Sequence, residues 1–204
     1  VEYLPRIVPN EDNEISKELT KNLKKKGIDI LTNSNIEEIK EENNHSTVTI
    51  NSNNSTKSLN AEIILSAVGI TPNTNNIGLE DLKIALDNER IVVDQYYRTN
   101  IEGYYAIGDV IKGPALAHVA SAEGIICIEN IAGHNPEPID YNNVPGCTYC
   151  SPEIASVGYT EEQAKEEGYK VKVGKFPFSA SGKASAAGAK DGFVKVIYDA
   201  EYGE

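Results

Sequence analysis

A chain of 204 residues can hold one large domain or two small ones, and its 40% hydrophobic content suits a soluble globular protein rather than a disordered one. The formal net charge of −12 argues against phosphate-directed nucleic-acid binding, which needs clustered Lys and Arg. No apolar run reaches membrane-spanning length, and the N-terminus lacks the basic start and apolar core of a signal peptide, so no membrane partner is expected.

The 3 cysteines, Cys127, Cys147 and Cys150, cannot all pair within the chain and suit a reducing, cytoplasmic setting better than a secreted scaffold. The chain starts at Val1 and contains no Met. Asp199 to Glu204 reads as a turn without a returning strand. Both observations point to an internal piece of a longer protein.

In chain order, Asp12 or Asn13 can cap a helix that carries Ile15, Leu19 and Leu23 on one face. Lys24, Lys25 and Lys26 crowd its last turn, where cations suit the helix dipole, and Gly27 ends it. Ile28 to Leu31 should be a strand. Ile36 to Ile39 and Thr47 to Ile50 read as strands of a meander, with turns at Asn43-Asn44 and Asn53-Asn54. The nearly continuous apolar run from Ile63 to Gly69 is how a parallel strand covered on both faces reads, and Thr71-Pro72-Asn73 turns the chain away. Ile91 to Val93 is a further strand candidate. Leu116 to Ala132 should be a long helix with Val119, Ile125, Ile126, Ile128 and Ile131 largely buried and Gly133 as its stop.

Composition shifts near Asn135-Pro136-Glu137-Pro138, which marks a domain boundary. Beyond it, Ile154 to Val157, Val171 to Val173 and Phe193 to Tyr198 should be strands. Thr160 and Gln163 form a capping box at a helix start. Ser179 to Gly188, rich in Ser, Ala and Gly, has the composition of a flexible loop.

The most informative stretch is Thr99-Asn-Ile-Glu-Gly-Tyr-Tyr-Ala-Ile-Gly-Asp109. Tyr105, Ala106 and Ile107 suit a buried strand. Gly108 lacks a Cβ, so a ligand can approach the backbone, and Asp109 offers a carboxylate to ligand hydroxyls. Gly113-Pro114-Ala115-Leu116-Ala117-His118 and Ala122-Glu123-Gly124 follow in register. Together these residues resemble the second flavin-binding motif of the pyridine nucleotide-disulfide reductases, and among them the dihydrolipoamide dehydrogenases.

The resemblance covers nearly the whole chain. It implies an α/β and α+β fold: half of a Rossmann-like NAD-binding domain over 1–70, a segment completing an FAD-binding domain over 71–138, and the start of an α+β dimerisation domain over 139–204. It implies FAD and NAD as cofactors. Gly108 and Asp109 would meet the ribityl chain. Ala115, Leu116, Ala117 and His118 would present a helix start to the flavin ring, His118 orienting rather than titrating. Glu2 would accept from the adenosine ribose hydroxyls and disfavour a 2′-phosphate. Ile36 would pack near the adenine, and the Gly69 backbone would face the cofactor. The implied partners are dihydrolipoamide on a lipoyl domain, the acyltransferase core of a 2-oxo acid dehydrogenase or a glycine cleavage complex, and a second copy in a homodimer.

Cys147-Thr148-Tyr149-Cys150 could be a redox pair or half a zinc site, but Ser151-Pro152 follows where a redox pair wants a helix start, and no second Cys or His pair completes a zinc site. Structural thiols are the expectation. The family's own redox pair, Cys-x4-Cys, is absent, as is its C-terminal acid-base His, so no residue here is assigned a catalytic role and the isolated chain should be inactive. Lys183 stands where relatives often carry Arg, and Gly69-Ile70-Thr71-Pro72 departs from the Gly-Arg-Arg-Pro of some relatives. A mercuric reductase or soluble transhydrogenase type, or a non-enzymatic interaction module, are the alternatives.

Overall fold

The computed structural model describes residues 1–52 and 55–204. The expected turn at Asn53-Asn54 lies outside the described residues. Its helices and sheets make a mixed α/β architecture, and backbone proximity groups 1–66 with 145–204 in one unit and 67–144 in another.

The first unit opens on α1, Asn13–Lys25. Asp12 caps it by accepting the Glu14 N–H at 2.9 Å, and Gly27 stops it at a φ of +83° that a side chain would resist. Its buried stripe is Ser16, Leu19 and Asn22, while the flanking Ile15 and Leu23 are half-buried. The antiparallel meander follows: β1 (Ser34–Glu41), β2 (Ser46–Ser52) and β3 (Ser55–Ala61). β2 is central and alternates, burying Val48 and Ile50. β3, whose polar sequence gives no periodic signal, forms by pairing with β2 along its whole length.

Ile28 to Leu31 is not a strand. The chain here exchanges backbone hydrogen bonds with residues 2–4, the Glu2 N–H to Leu31 O at 2.7 Å and the Ser34 N–H to Glu2 O at 3.0 Å, but Asn33 at a φ of 49° breaks the run.

From residue 145 onward, β6 and β7 make a short ladder, after the β4 and β5 of the other unit. Their bounds are Leu86–Asp87 for β4, Arg90–Ile91 for β5, Gly146–Thr148 for β6 and Ile154–Ser156 for β7. α2 (Ala117–Ile131) belongs to the other unit, and α3 (Glu161–Glu166) follows β7 with the Thr160–Gln163 capping box formed in both directions. β8 (Val171–Pro177) and β9 (Phe193–Asp199) pair antiparallel. Between them the Ser/Ala/Gly-rich stretch is ordered into a 3-10 turn, Phe178–Ala180, and α4, Gly182–Ala186, capped by the Ser181 hydroxyl. Composition alone misread that loop, because a single side-chain cap suffices to seed so short a helix.

A buried ammonium ties this unit together. Lys195 on β9, its side chain only 5% exposed, reaches Asp12 at 2.9 Å, Glu161 at 2.7 Å and Glu14 at 3.5 Å. Asp12 also accepts the Glu161 N–H at 3.1 Å. Burial pushes the Asp12 carboxyl up, but Lys195 and two backbone N–H groups outweigh it and hold it below its ordinary range. Glu14, bonded to Lys175, and Glu161, bonded to Lys165 and Lys195, are also held low. Burial pulls the Lys195 ammonium down, and its carboxylate partners reverse that and hold it high.

Carboxylates whose folded pKa is depressed stabilise above their unfolded value of about 4 and lose that stabilisation as pH falls through the folded value. A lysine held high stabilises below about 10.4 and loses this as pH rises through its folded value. Thermal melts across pH should therefore show the cluster's contribution intact between about pH 5 and 10, fading below as the pH falls through the depressed carboxylate values and above as it rises through the raised Lys195 value. The advantage of wild type over Lys195→Met should vanish at the alkaline extreme and be lost or reversed at the acid one, where Lys195 stays charged beside neutral carboxyls.

The second unit is built on Leu79, Ile84, Ile91, Tyr97, Ala106, Ile111 and Cys127. Four expectations fail between residues 63 and 131. Ile63 to Gly69 forms no strand, and Ile63, Leu65 and Val68 are 87%, 86% and 93% exposed. A parallel strand exists only between neighbours, and among the described residues none lies beside it. Ile91 to Val93 shortens to β5, joined to Ile111 by a single parallel bridge, and Tyr105 makes one bridge, to Arg98, rather than a strand. α2 matches its expected span, but it buries Val119, Glu123 and Cys127, while Ile125, Ile128 and Ile131 are exposed. The stripe at i, i+4, i+8 faces the small core, and the remaining isoleucines meet no packing partner wide enough to cover them.

Candidate functional site: the Gly108–Asp109 loop and the start of α2

Residues 97–99 and 104–106 fold back on each other, with Ala106 N–H to Tyr97 O and Thr99 N–H to Tyr104 O both at 3.0 Å. Asn100 fixes the base of this turn, accepting the Ala85 N–H at 2.8 Å and donating to Lys83 O at 2.9 Å. The chain leaves Ile107 and enters a 3-10 turn, Gly108–Val110, which packs on α2.

Gly108 sits at a φ of +72°, and a Cβ there would lie 3.3 Å from the Ala120 Cβ in the first turns of α2. The glycine is thus needed twice, for its left-handed backbone and for close approach to the helix. The backbone on either side of the Asp109 side chain is pinned. The Gly108 N–H donates to Glu123 Oε2 at 2.6 Å. Arg90 donates to Asp109 O at 2.9 Å and to Ile111 O at 3.0 Å. The Asp109 carboxylate itself is exposed and makes no hydrogen bond among the described residues.

The start of α2 is similarly open. Leu116 occupies the N-cap without a side-chain bond, and the amides of Ala117 and His118 have no acceptor among the described residues. Ala115, Ala117 and His118 are exposed and Leu116 is half-buried. Free amides and the positive end of a helix dipole invite an electronegative ligand atom. The loop and the helix start therefore combine a fixed, uncommitted carboxylate with uncommitted donors. That set fits a polyhydroxylated chain attached to a ring edged with acceptor atoms, the donor and acceptor inventory of a flavin.

Of the other expected contacts, Glu2 and Ile36 belong to the first unit and Gly69 to the second. Glu2 accepts the Leu4 N–H at 2.8 Å through one carboxylate oxygen. Ile36, on β1 opposite Ile50, is 44% exposed. Gly69 adopts a φ of +122° with nothing within 4 Å of a Cβ position.

Three residues of the loop architecture, Arg90, Glu123 and Tyr141, went unread in the sequence. Arg90 gave no signal, since an isolated Arg before a strand looks like a surface charge. Glu123 stood inside the quoted Ala-Glu-Gly run, yet its burial could not be seen. Glu123 is 1% exposed, and Tyr141 donates to its Oε1 at 2.7 Å. The Tyr97 and Tyr141 hydroxyls lie 3.3 Å apart. Burial, the Tyr97 and Glu123 hydrogen bonds and the Glu123 charge all push the Tyr141 phenol far above its usual range. Burial likewise raises Tyr97, against a smaller opposing pull from Tyr141. Both tyrosines remain protonated and act as donors.

The cysteines are free. Cys127 is buried in the core, and burial with the nearby Asp94 charge pushes its thiol up, away from thiolate chemistry. Cys147 is exposed on β6, and Cys150 Sγ donates to Pro152 O at 3.0 Å. Among the described residues no group of three His, Cys, Asp or Glu side chains could hold a metal ion. Nor, among the described residues, is any helix long and apolar enough to cross a membrane.

Dihydrolipoyl dehydrogenase of Mycobacterium leprae is 45% identical over 206 residues, covering 100% of this chain and 44% of that protein. The Bacillus subtilis dihydrolipoyl dehydrogenase is 46% identical over 201 residues, covering 98% and 42%. The chain thus spans less than half the length of these curated relatives. Among solved structures, the Cu(II) complex of the HOCl-induced flavoprotein disulfide reductase RclA from Escherichia coli superposes with a TM-score of 0.89 at 28% identity, over 98% of this chain and 46% of that one. LpdA from Mycobacterium tuberculosis shares the fold, with a TM-score of 0.87 at 24% identity over 98% and 43%. A family model described as pyridine nucleotide-disulphide oxidoreductase matches residues 1–124, and its dimerisation-domain model matches 144–204. The chain belongs to the pyridine nucleotide-disulphide oxidoreductase family.

Proposed function

We propose that this chain is the middle and C-terminal portion of an FAD-dependent dihydrolipoyl dehydrogenase, which reoxidises dihydrolipoamide with NAD. The observation that carries the reading is the Asp109 carboxylate, without a hydrogen-bond partner among the described residues and on a backbone pinned from both sides, on a loop packed against α2, whose first amides likewise have no acceptor among them.

In this reading Gly108 and Asp109 hold the ribityl chain of FAD. Ala115, Leu116, Ala117 and His118 present α2 to the flavin ring, where the helix start favours negative charge. When bound, the flavin supplies two-electron chemistry between a dithiol and a nicotinamide. Glu2, with one carboxylate oxygen uncommitted, accepts from the adenosine ribose of NAD, and Ile36 offers its exposed apolar surface to the adenine. Gly69 leaves its backbone open to the same cofactor, an assignment that rests on the motif match.

The domain assignment follows: 1–70 to the NAD-binding domain, 71–138 to the FAD-binding domain, 139–204 to the dimerisation domain, through which the protein forms a homodimer. Its cysteines do not supply the redox disulfide, so this portion alone is inactive. The partner proteins are lipoyl domains and the acyltransferase core of a 2-oxo acid dehydrogenase or glycine cleavage complex, in the cytoplasm.

The test is Asp109→Ala in the full-length protein. Losing charge-assisted hydrogen bonds to ligand hydroxyls should raise the Kd for FAD by about 10-fold or more, measured by flavin fluorescence. Stoichiometric yellow flavin retained at wild-type affinity would refute the reading.

A further inference from the structure

We propose that Glu123 is a positioning residue for the flavin-contacting loop: its buried carboxylate tethers Gly108 and thereby sets where Asp109 stands. The inference rests on the FAD reading above and deepens it.

Glu123 lies on the buried stripe of α2, four residues from Val119 and four from Cys127. An apolar side chain would satisfy the packing there, and a carboxylate at 1% exposure is costly unless both oxygens are bonded. Both are. Oε2 takes the Gly108 N–H at 2.6 Å, and Oε1 takes the Tyr141 hydroxyl at 2.7 Å. Tyr141 in turn meets the Tyr97 hydroxyl at 3.3 Å, so the carboxylate is anchored to the core on its other side.

The loop closes over this pair. A Cβ at Gly113, where φ is +152°, would sit 3.5 Å from the Tyr141 ring and 3.9 Å from Glu123 Oε1. Segment 108–113 therefore arches over Glu123 and Tyr141, attached at one end by a short hydrogen bond and at the other by close packing. Glu123 is too enclosed to meet a ligand. It acts by holding the left-handed turn at Gly108, the residue immediately before the ligand-facing carboxylate. Arg90 grips the carbonyl on the far side of Asp109, so loss of Glu123 frees only one of the two anchors.

The experiment uses the full-length flavoprotein with Glu123→Gln, Glu123→Ala and Tyr141→Phe. Two quantities are read: amide hydrogen exchange of a peptide covering 105–112 in the FAD-free protein, and the Kd for FAD. Glu123→Ala leaves the Gly108 N–H without its acceptor, and exchange and Kd should each rise about 10-fold. In Glu123→Gln the amide oxygen still accepts from Gly108, the amide nitrogen donates to the Tyr141 oxygen, and the Tyr141 proton turns to Tyr97. Both readouts should then stay within about 3-fold of wild type, a rescue that bulk destabilisation would not give. Tyr141→Phe removes one anchor and should raise exchange by about 3-fold, which carries the test if Glu123→Ala does not fold.

Unchanged exchange in Glu123→Ala, or in Tyr141→Phe where that variant stands in, overturns the tether whatever the flavin does. Glu123→Gln as damaging as Glu123→Ala overturns it too, because charge rather than positioning would then be at stake. Faster exchange with unchanged FAD affinity overturns the positioning role. Where Asp109→Ala also binds FAD like wild type, the flavin reading itself falls.

Discussion

Replacing Lys195 by Met should destabilise the unit formed by 1–66 and 145–204 by about 3 kcal/mol, read as a lowered urea midpoint. Lys195 is 5% exposed in its side chain and is the shared partner of Asp12 and Glu161, with Glu14 at the edge. Methionine fills the space but leaves carboxylates gathered around an absent charge. Truncating one side of a buried ionic group costs far more than the net worth of the group, since the orphaned charges keep their desolvation penalty. Asp12 also caps α1, so its repulsion from Glu161 would be felt at that helix start. Lys195→Arg should recover much of the loss, because a guanidinium can bridge several carboxylates. A midpoint unchanged in Lys195→Met would show that the cluster carries no net stabilisation.

Gly108→Val should abolish tight flavin binding while leaving most of the chain folded. The left-handed backbone at φ +72° costs a side chain about 1–2 kcal/mol, and a β-branched one sits at the upper end. The new Cβ would also lie 3.3 Å from the Ala120 Cβ, on a helix that cannot shift without disturbing the Val119–Cys127 stripe. The loop must flip instead, which breaks the Gly108–Glu123 bond and swings Asp109. A loss of at least about 2 kcal/mol in FAD affinity, some 30-fold in Kd, is expected by fluorescence titration. Gly108→Ala should do less, since it lacks the branch. Wild-type affinity in the valine variant would mean that Asp109 placement does not depend on this turn.

The sequence was most readable where one local rule acts alone. The Asp12 cap, the Thr160–Gln163 capping box, the Gly27 stop and the span of α2 need only near neighbours and all appear as expected. Readings that required partners fared worse. The run from Ile63 to Gly69 has the composition of a buried strand, but a ladder needs another strand on each side, and its residues stand exposed. Ile125, Ile128 and Ile131 are apolar and face outward for the same reason. β3 was silent because Ser, Lys and Asn carry no alternation, and only pairing with β2 reveals it. In the loop, Gly108 and Asp109 announced themselves by motif. Glu123, Tyr141 and Arg90 did not, because a glutamate in a helix, a tyrosine in a linker and a lone arginine are each ordinary until the fold brings them to one backbone amide or carbonyl.

The bare segment from Ile63 to Val68 has a consequence for how such a chain comes to be made. It holds no charge and no proline, and its amides and carbonyls are free to template a like segment of another molecule. Among the described residues no strand covers it, so a second molecule's copy meets an open edge, at a rate that climbs with concentration. Yield during synthesis therefore depends on dilution: slow production keeps such segments apart, while overproduction drives them into aggregates.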